Sequence, residues 1–356
     1  MKAARIAALG FLVVLAACTG QPSGQNGSPA TTGASMTLVG AGSTFVYPFF
    51  SRAFDAYQKA NPGVTINYQS IGSGGGIQQF TAHTVDFGAT DVPMSAKDLS
   101  ALEGGRKSIV EIPVALGGVA IAYDVPGVSS GLVLSPDVLA SIYLGTVKTW
   151  NDPRIAKLNP SAKLPSLPIL VVHRADASGT TYIFTDYLSA VSAGWKTSVG
   201  KSKTISWPTA ASSVGMKGNE GVAGQIKNTP GAIGYVELAY ALETQMTYAS
   251  IVNASGAAVA PSIASVRAAA TTKPAVDSSD FSIVNASGKG AYPIAGYTWA
   301  LLYKHYPDPA KQGALCSLFH WIETDGQKLA TGIDYVDIPT AVSERANTAI
   351  GPCTTL

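Results

Sequence analysis

Short apolar runs alternate with amphipathic stretches along most of this chain. MTLVGAG (residues 36–42) reads as a strand ending in a Gly turn, and STFVYPFFSRAFDAYQKANPG as an aromatic-rich helix stopped by Asn61, Pro62 and Gly63. VTINYQS predicts the next strand, IGSGGG its turn, IQQFTAH a second helix, and VDFGATD a third strand that ends in an acid. SPDVLASIYLG predicts a helix with Ser135 as N-cap and Pro136 in its first turn, because the Ser hydroxyl satisfies an orphan N–H and Pro lacks one. LPILVVH, ending at His173, is a continuous apolar run of the kind buried on both faces of a parallel sheet. This alternation predicts α/β layers with mostly parallel sheets. SIVNASG occurs at 250–256 and again at 282–288, and two copies of a strand plus turn do not make a repeat architecture.

The first residues follow a different pattern. Lys2 and Arg5 flank and precede a short apolar core, Ile6 to Val14, too short to span a bilayer as a stable anchor. LAAC, ending at Cys18, resembles a bacterial lipobox, whose Cys becomes the lipidated first residue of the mature chain. A plain secretory signal cleaved near Ala17 is the other reading, and both export the protein. Residues 19–35, TGQPSGQNGSPATTGAS, carry no charge and no large apolar side chain, so they cannot bury enough surface to fold. The expected parts are a signal peptide at 1–17 and a flexible tether at 18–35, holding a domain at a membrane surface through a lipid anchor.

Composition narrows the function. With 46% hydrophobic and 13% charged residues in 356, the chain is an ordered globular protein with room for one large or two ordinary domains. Removing Lys2 and Arg5 with the signal takes the formal charge from +2 to about 0, and no Lys/Arg run interleaved with aromatics occurs, which argues against nucleic-acid binding. Of three Cys, Cys18 is assigned to lipid; in an exported protein Cys316 and Cys353 most simply form one disulfide that pins the C-terminal tail. His83, His173, His305 and His320 are widely separated and no CxxC occurs, so neither a metal centre nor a cofactor is expected.

Common catalytic signatures are missing. No G-x-S-x-G elbow occurs, and GWKTSVGKS (194–202) has five residues between its glycines where a P-loop needs four, so it reads as a solvated loop. What recurs is a strand end, a small-residue turn bearing a hydroxyl, and a helix start: GAGSTF (40–45), GSGGG (72–76) and ADASGTT (175–181). Each alone is an ordinary cap. Three that converge, with an Arg and an Asp at adjoining strand ends, make an anion site without net positive charge, because helix N-termini present unpaired N–H groups.

GAGSTF, YQSIGSGGG, TVDFGATDVPMS, IYLGTVKTWNDPRIAKLNP, HRADASGTTYIFTDYL, KGNEG and PGAIGYVELAYA occur in the order found in the periplasmic phosphate-binding proteins of bacterial ABC transporters. The chain resembles that family from about Leu38 to near Ile338. The resemblance implies a two-lobed periplasmic binding protein of type II-like fold, each lobe a mostly parallel sheet flanked by helices, joined by a two-strand hinge. The crossings are expected near Pro113 to Gly118 and near Tyr292 to Thr298, with lobe I as residues 36–114 plus 295–356 and lobe II as 115–294. The implied function is binding of inorganic phosphate by a monomer outside the cytoplasmic membrane and delivery to ABC transporter permease subunits, without catalysis.

Motif by motif, Thr44 and Phe45 fall on the family's first contact, a hydroxyl and a backbone N–H, and Ser73 on the second hydroxyl donor. Asp91 falls on the acidic contact. Arg174, Ser178, Gly179 and Thr180 fall on the charged donor and the helix-start cradle of the other lobe. Asp176 matches the residue that holds that Arg, and it also reads as a cap of the following helix. Phosphate near neutral pH still carries a proton that Asp91 can accept, whereas sulfate would face an unmatched acceptor. Two other readings remain: a receptor for another tetrahedral oxyanion, and an exported phosphatase on a related scaffold.

The chain leaves the family pattern at three positions. His173 and Ala177 stand where many relatives have Arg and Gly, and Gly74 where relatives often have Ser. Ala177 is awkward if its turn needs a positive φ. Strand alternation points His173 away from Arg174's side of the sheet.

Overall fold

The computed structural model describes residues 35–209 and 212–351. The expected signal, Cys18, the tether up to residue 34, and Cys353 lie outside the described residues; Cys316 is disulfide-bonded. Among the described residues no helix is long and apolar enough to cross a membrane.

The pattern around residue 40 becomes β1 (Met36–Gly42), α1 (Tyr47–Ala60), β2 (Val64–Ser70), α2 (Ser73–Thr81) and β3 (Phe87–Thr90). Then follow β4 (Ile109–Tyr123), α3 (Pro136–Tyr143), β5 (Leu170–Arg174), α4 (Gly179–Val191), β6 (Ser213–Met216), α5 (Gly218–Lys227), β7 (Ala232–Glu237), α6 (Leu238–Glu243) and β8 (Ala295–Tyr303). Ser135 caps α3 as expected, its hydroxyl accepting from Val138 N. Along α1, Phe49, Phe50, Ala53, Phe54 and Tyr57 are buried, the spacing of one helical face. Burying each large side chain contributes about 1.5–3 kcal/mol, so this face commits the helix to its sheet.

Among the described residues nine strands form one sheet along the path β2-β1-β3-β8-β4-β7-β5-β6, with Thr247–Tyr248 paired to β4. β1 is parallel to β2 and β3, and β5 is parallel to β7 and β6. The strands through the middle break the pattern: β8 runs antiparallel to β3 and β4, and β4 antiparallel to β7. The protein is two-lobed, three parallel strands to a lobe, with β4 and β8 carrying the chain across. β4 pairs with β8 from Ile109 to Gly118 and with β7 from Val119 to Tyr123, so its partner changes between Gly118 and Val119. Separate apolar clusters pack each half, one around Phe50, Phe87 and Phe319, the other around Tyr143, Phe184 and Tyr235.

One feature of the crossing strands reaches the cleft. The β4–β8 register shifts between Thr298 and Trp299, opposite Ala115 and Pro113, and Pro113 has no ladder N–H to lose there. This irregularity lies at Thr298, whose hydroxyl turns to Asp91.

The second helix differs from expectation. Glycines 74–76 lie inside α2 rather than in a turn before it. Their purpose is close approach: a Cβ at Gly76 would overlap the Gly42 Cα, and one at Gly42, which has φ +147°, would overlap the Ala89 carbonyl. α1 likewise begins at Tyr47 and leaves Ser43 to Val46 as a turn. β5 is less buried than its apolar run suggests, with Leu170 and His173 only partly buried. We expect Gly42→Ala to cost about 2 kcal/mol or more, since it adds both overlap and an unfavourable φ. Urea unfolding reads this directly, and an unchanged midpoint would show that the turn relaxes freely.

Candidate functional site

The sequence-derived residues meet between the lobes. Thr44 and Phe45 lie in the turn after β1, Ser73 opens α2, and Asp91 follows β3. From the other lobe, Arg174 ends β5, Ser178 caps α4, and Gly179 and Thr180 form its first turn. Thr44, Ser73, Asp91, Arg174, Ser178 and Thr180 are each at most 4% exposed, so their hydrogen-bonding capacity must be met within the cleft.

Asp91 is the acceptor of the cluster. Its Oδ1 accepts from Ser43 Oγ at 2.5 Å and Thr298 Oγ1 at 2.7 Å, and its Oδ2 from Ser73 Oγ at 3.3 Å. Ser73 Oγ accepts in return from Asp91 N at 3.1 Å. Burial pushes the carboxyl up from its ordinary 3.8 to about 6, against the pull of the three hydroxyls and of Arg174. A carboxylate offers roughly four lone-pair positions, so one acceptor position remains on Asp91.

Arg174 is held by Asp176. Its Nε donates to Asp176 Oδ1 at 2.8 Å, its Nη2 to Oδ2, and its Nη1 to Thr180 Oγ1 at 3.4 Å. Gly218 N also donates to Asp176 Oδ1 at 3.2 Å. Burial would raise the Asp176 carboxyl, but the Arg174 hydrogen bonds and charge and the backbone donors outweigh it and hold it below the ordinary value. The helix cap belongs to Ser178, whose Oγ accepts from Thr181 N at 3.1 Å. Of the two sequence readings for Asp176, the geometry therefore gives the Arg partner.

The lobes touch directly. Asn219 Nδ2 and N donate to Thr44 Oγ1 at 2.8 and 3.3 Å, and Tyr240 Oη donates to the Thr44 carbonyl at 2.7 Å. Gly74 N donates to the Ala177 carbonyl at 2.8 Å, and a Cβ on Gly74 would collide with the Ala177 Cβ. Gly179 lies against Asp91 and Ser73 so closely that a Cβ there would overlap both. At the rim Lys203 Nζ pairs with Asp98 at 3.0 Å.

Several placements differ from expectation or were missed. The Phe45 N–H donates to Ser43 Oγ at 3.0 Å, and its ring packs on Gly117 in the crossing strand. Ala177 keeps a negative φ, so its turn carries no strain from the missing Gly. His173 stacks on Trp207 at 4.8 Å and its Nδ1 meets the Arg174 carbonyl, which makes it part of the fold. Ser43, Thr298, Asn219 and Tyr240 were not singled out from the sequence. Asn219 sits in KGNEG, whose Lys217 stands at the N-cap of α5 and whose other residues form its first turn, and only its lack of Ser or Thr hid this helix start.

The outcome is a sorted set of polar groups. Thr44, Ser178 and Thr180 hydroxyls accept from protein N–H groups and keep their protons to give, while Ser43, Ser73 and Thr298 give theirs to Asp91. With Arg174 and the free N–H groups of α4's first turn, this suits an anion that carries one proton. Asp91 is expected to titrate near 6 in carboxyl-carbon NMR. Between pH about 4 and 6 the folded protein then holds a proton the unfolded chain has lost, so Asp91 lowers stability as pH rises through that window. A midpoint at the ordinary value would refute its burial.

A family model for the PBP superfamily domain matches residues 27–317. The phosphate-binding protein PstS of Pasteurella multocida is 42% identical over 319 residues, covering 89% of this chain and 90% of the relative. That of Xylella fastidiosa strain Temecula1 is 42% identical over 308 residues, covering 86% and 82%. The high-affinity periplasmic phosphate-binding protein PfluDING, solved with phosphate bound, shares the fold at TM-score 0.69 and 22% identity, covering 88% of this chain and 93% of its own. The crossed two-lobed sheet and these matches together show that the chain belongs to the PBP superfamily and, within it, to the PstS family of phosphate-binding proteins.

Proposed function

We propose that this chain binds inorganic phosphate between its lobes outside the cytoplasmic membrane and delivers it to the permease of an ABC transporter, without catalysis. The observation that carries the reading is the sorting of the cleft. Thr44 and Thr180 are held as donors, Ser178 keeps its proton to give, Arg174 is fixed by Asp176, and one buried carboxylate retains a single acceptor position. The names of the relatives point the same way. Thr44, Asp91, Arg174, Ser178, Gly179 and Thr180 are the proposed contacts, with Asp176 in support; Phe45 and Ser73 join them when the Phe45 N–H leaves Ser43 Oγ and the Ser73 hydroxyl leaves Asp91.

In this reading lobe I comprises residues 36–114 plus 295–356 and lobe II residues 115–294, and the partner change of β4 at Gly118 and Val119 supports a hinge there. A lipid on Cys18 and the tether up to residue 35 keep a monomeric receptor at the membrane's outer face. Ser178 argues against a phosphatase: its Oγ meets Thr181 N and its own N donates to Lys203 O, and among the described residues no base is hydrogen-bonded to the hydroxyl.

Calorimetry should show tight phosphate binding that sulfate does not displace; equal binding of sulfate would end the phosphate assignment. Asp91→Asn should relax this discrimination, because the amide can donate to a fully deprotonated oxyanion. Gly74→Ser is expected to wedge the Gly74–Ala177 contact and weaken phosphate binding roughly tenfold, with Ala177→Gly restoring most of it. Independent, additive effects of the two changes would remove that contact from the closing surface.

A further inference from the structure

We propose that Asn219 is a positioning residue that couples lobe closure to the polarity of the site, by forcing the Thr44 and Thr180 hydroxyls to act as donors. The inference rests on the phosphate-site reading above and adds a role for a residue outside the proposed contacts.

The orientation of the Asn219 amide is determined. The backbone N–H of Glu237 at the end of β7 donates to Asn219 Oδ1 at 3.0 Å, and only an oxygen can accept there. The NH2 group must therefore face the opposite side, where it meets Thr44 Oγ1 at 2.8 Å and Thr180 Oγ1 at 3.3 Å. The Asn219 backbone N–H, an orphan donor in the first turn of α5, adds a second bond to Thr44 Oγ1 at 3.3 Å. Arg174 Nη1 adds the second bond to Thr180 Oγ1.

A hydroxyl oxygen has two lone pairs and one proton. Both lone pairs of Thr44 Oγ1 are filled by Asn219, and both of Thr180 Oγ1 by Asn219 and Arg174. Each hydroxyl is left with its proton as its only remaining capacity. Asn219 is 0% exposed, so water does not compete for these bonds. Thr44 belongs to the turn after β1 and Thr180 to α4, so one amide spans both sides of the cleft. When the lobes part, Thr44 loses its two Asn219 donors and its hydroxyl is free to rotate and accept. Closure thus converts Thr44 from an ambivalent group into a committed donor.

The test is phosphate calorimetry on the full chain, with Thr44→Val/Thr180→Val as the reference background. Asn219→Ala alone is expected to weaken binding roughly tenfold to a hundredfold, the usual effect of misdirecting buried hydroxyls. In the background lacking both hydroxyls the same change should cost less than about threefold, because its route is gone. A fully additive loss would overturn the inference, since Asn219 would then act through the fold in general. Asn219→Asp, which keeps the Glu237 bond and turns the two donors into acceptors, covers the case in which the Ala variant does not fold; wild-type affinity in it would also overturn the proposal. If Thr44→Val/Thr180→Val by itself leaves binding unchanged, the site reading fails and this inference with it. If that pair weakens binding while Asn219→Ala does not, only the role of Asn219 falls.

Discussion

A polar group buried without a partner costs about 1–3 kcal/mol, and this molecule buries many polar groups where its lobes meet. That constraint organises the cleft. Each hydroxyl there has its direction decided by a neighbour: Asp91 draws protons from Ser43, Ser73 and Thr298, while Asn219, Arg174 and Thr181 N supply them to Thr44, Thr180 and Ser178. The formal charges near the site, Arg174, Asp176 and Asp91, do not sum to a positive field. In the proposed site, attraction for an anion comes instead from oriented dipoles and helix-start N–H groups, which need no reorganisation once the lobes are closed.

The same constraint explains the backbone around the site. Oriented dipoles act only at short range, so the two lobes must come within hydrogen-bond distance, and side chains in the way are excluded. Gly179 against Asp91 and Gly74 against Ala177 are both places where a Cβ would collide with the opposite lobe. β8 takes part in that approach, because Thr298 belongs to the crossing strand and also to the Asp91 network. The register shift at Thr298 links the hinge geometry to the chemistry of the acceptor.

Much of this was legible beforehand. Turn glycines after apolar runs, the Ser135 cap and the aromatic face of α1 are local signals with local causes. The three hydroxyl-bearing turns and helix starts pointed to segments that the fold brings together, and the fixed order of long motifs tied them to one family. Reading failed where function depended on contact between distant segments. Asn219 is 175 residues from Thr44 and 39 from Thr180, and nothing in KGNEG alone says that its amide faces both. Gly74 and Ala177 looked like separate departures from a pattern, yet they touch.

The sequence by itself determined which groups could donate and accept, where strands gave way to helices, and that the chain is exported in either reading of its first residues. Those properties follow from residue type and from neighbours a few positions away. Only the tertiary structure decided the direction of each hydrogen bond: that Asp176 holds Arg174 while Ser178 caps the helix, that the Phe45 N–H turns to Ser43, and that Asn219 commits Thr44 and Thr180 as donors. A hydroxyl or an amide can serve either way, and which way it serves is set by the partner that folding brings to it.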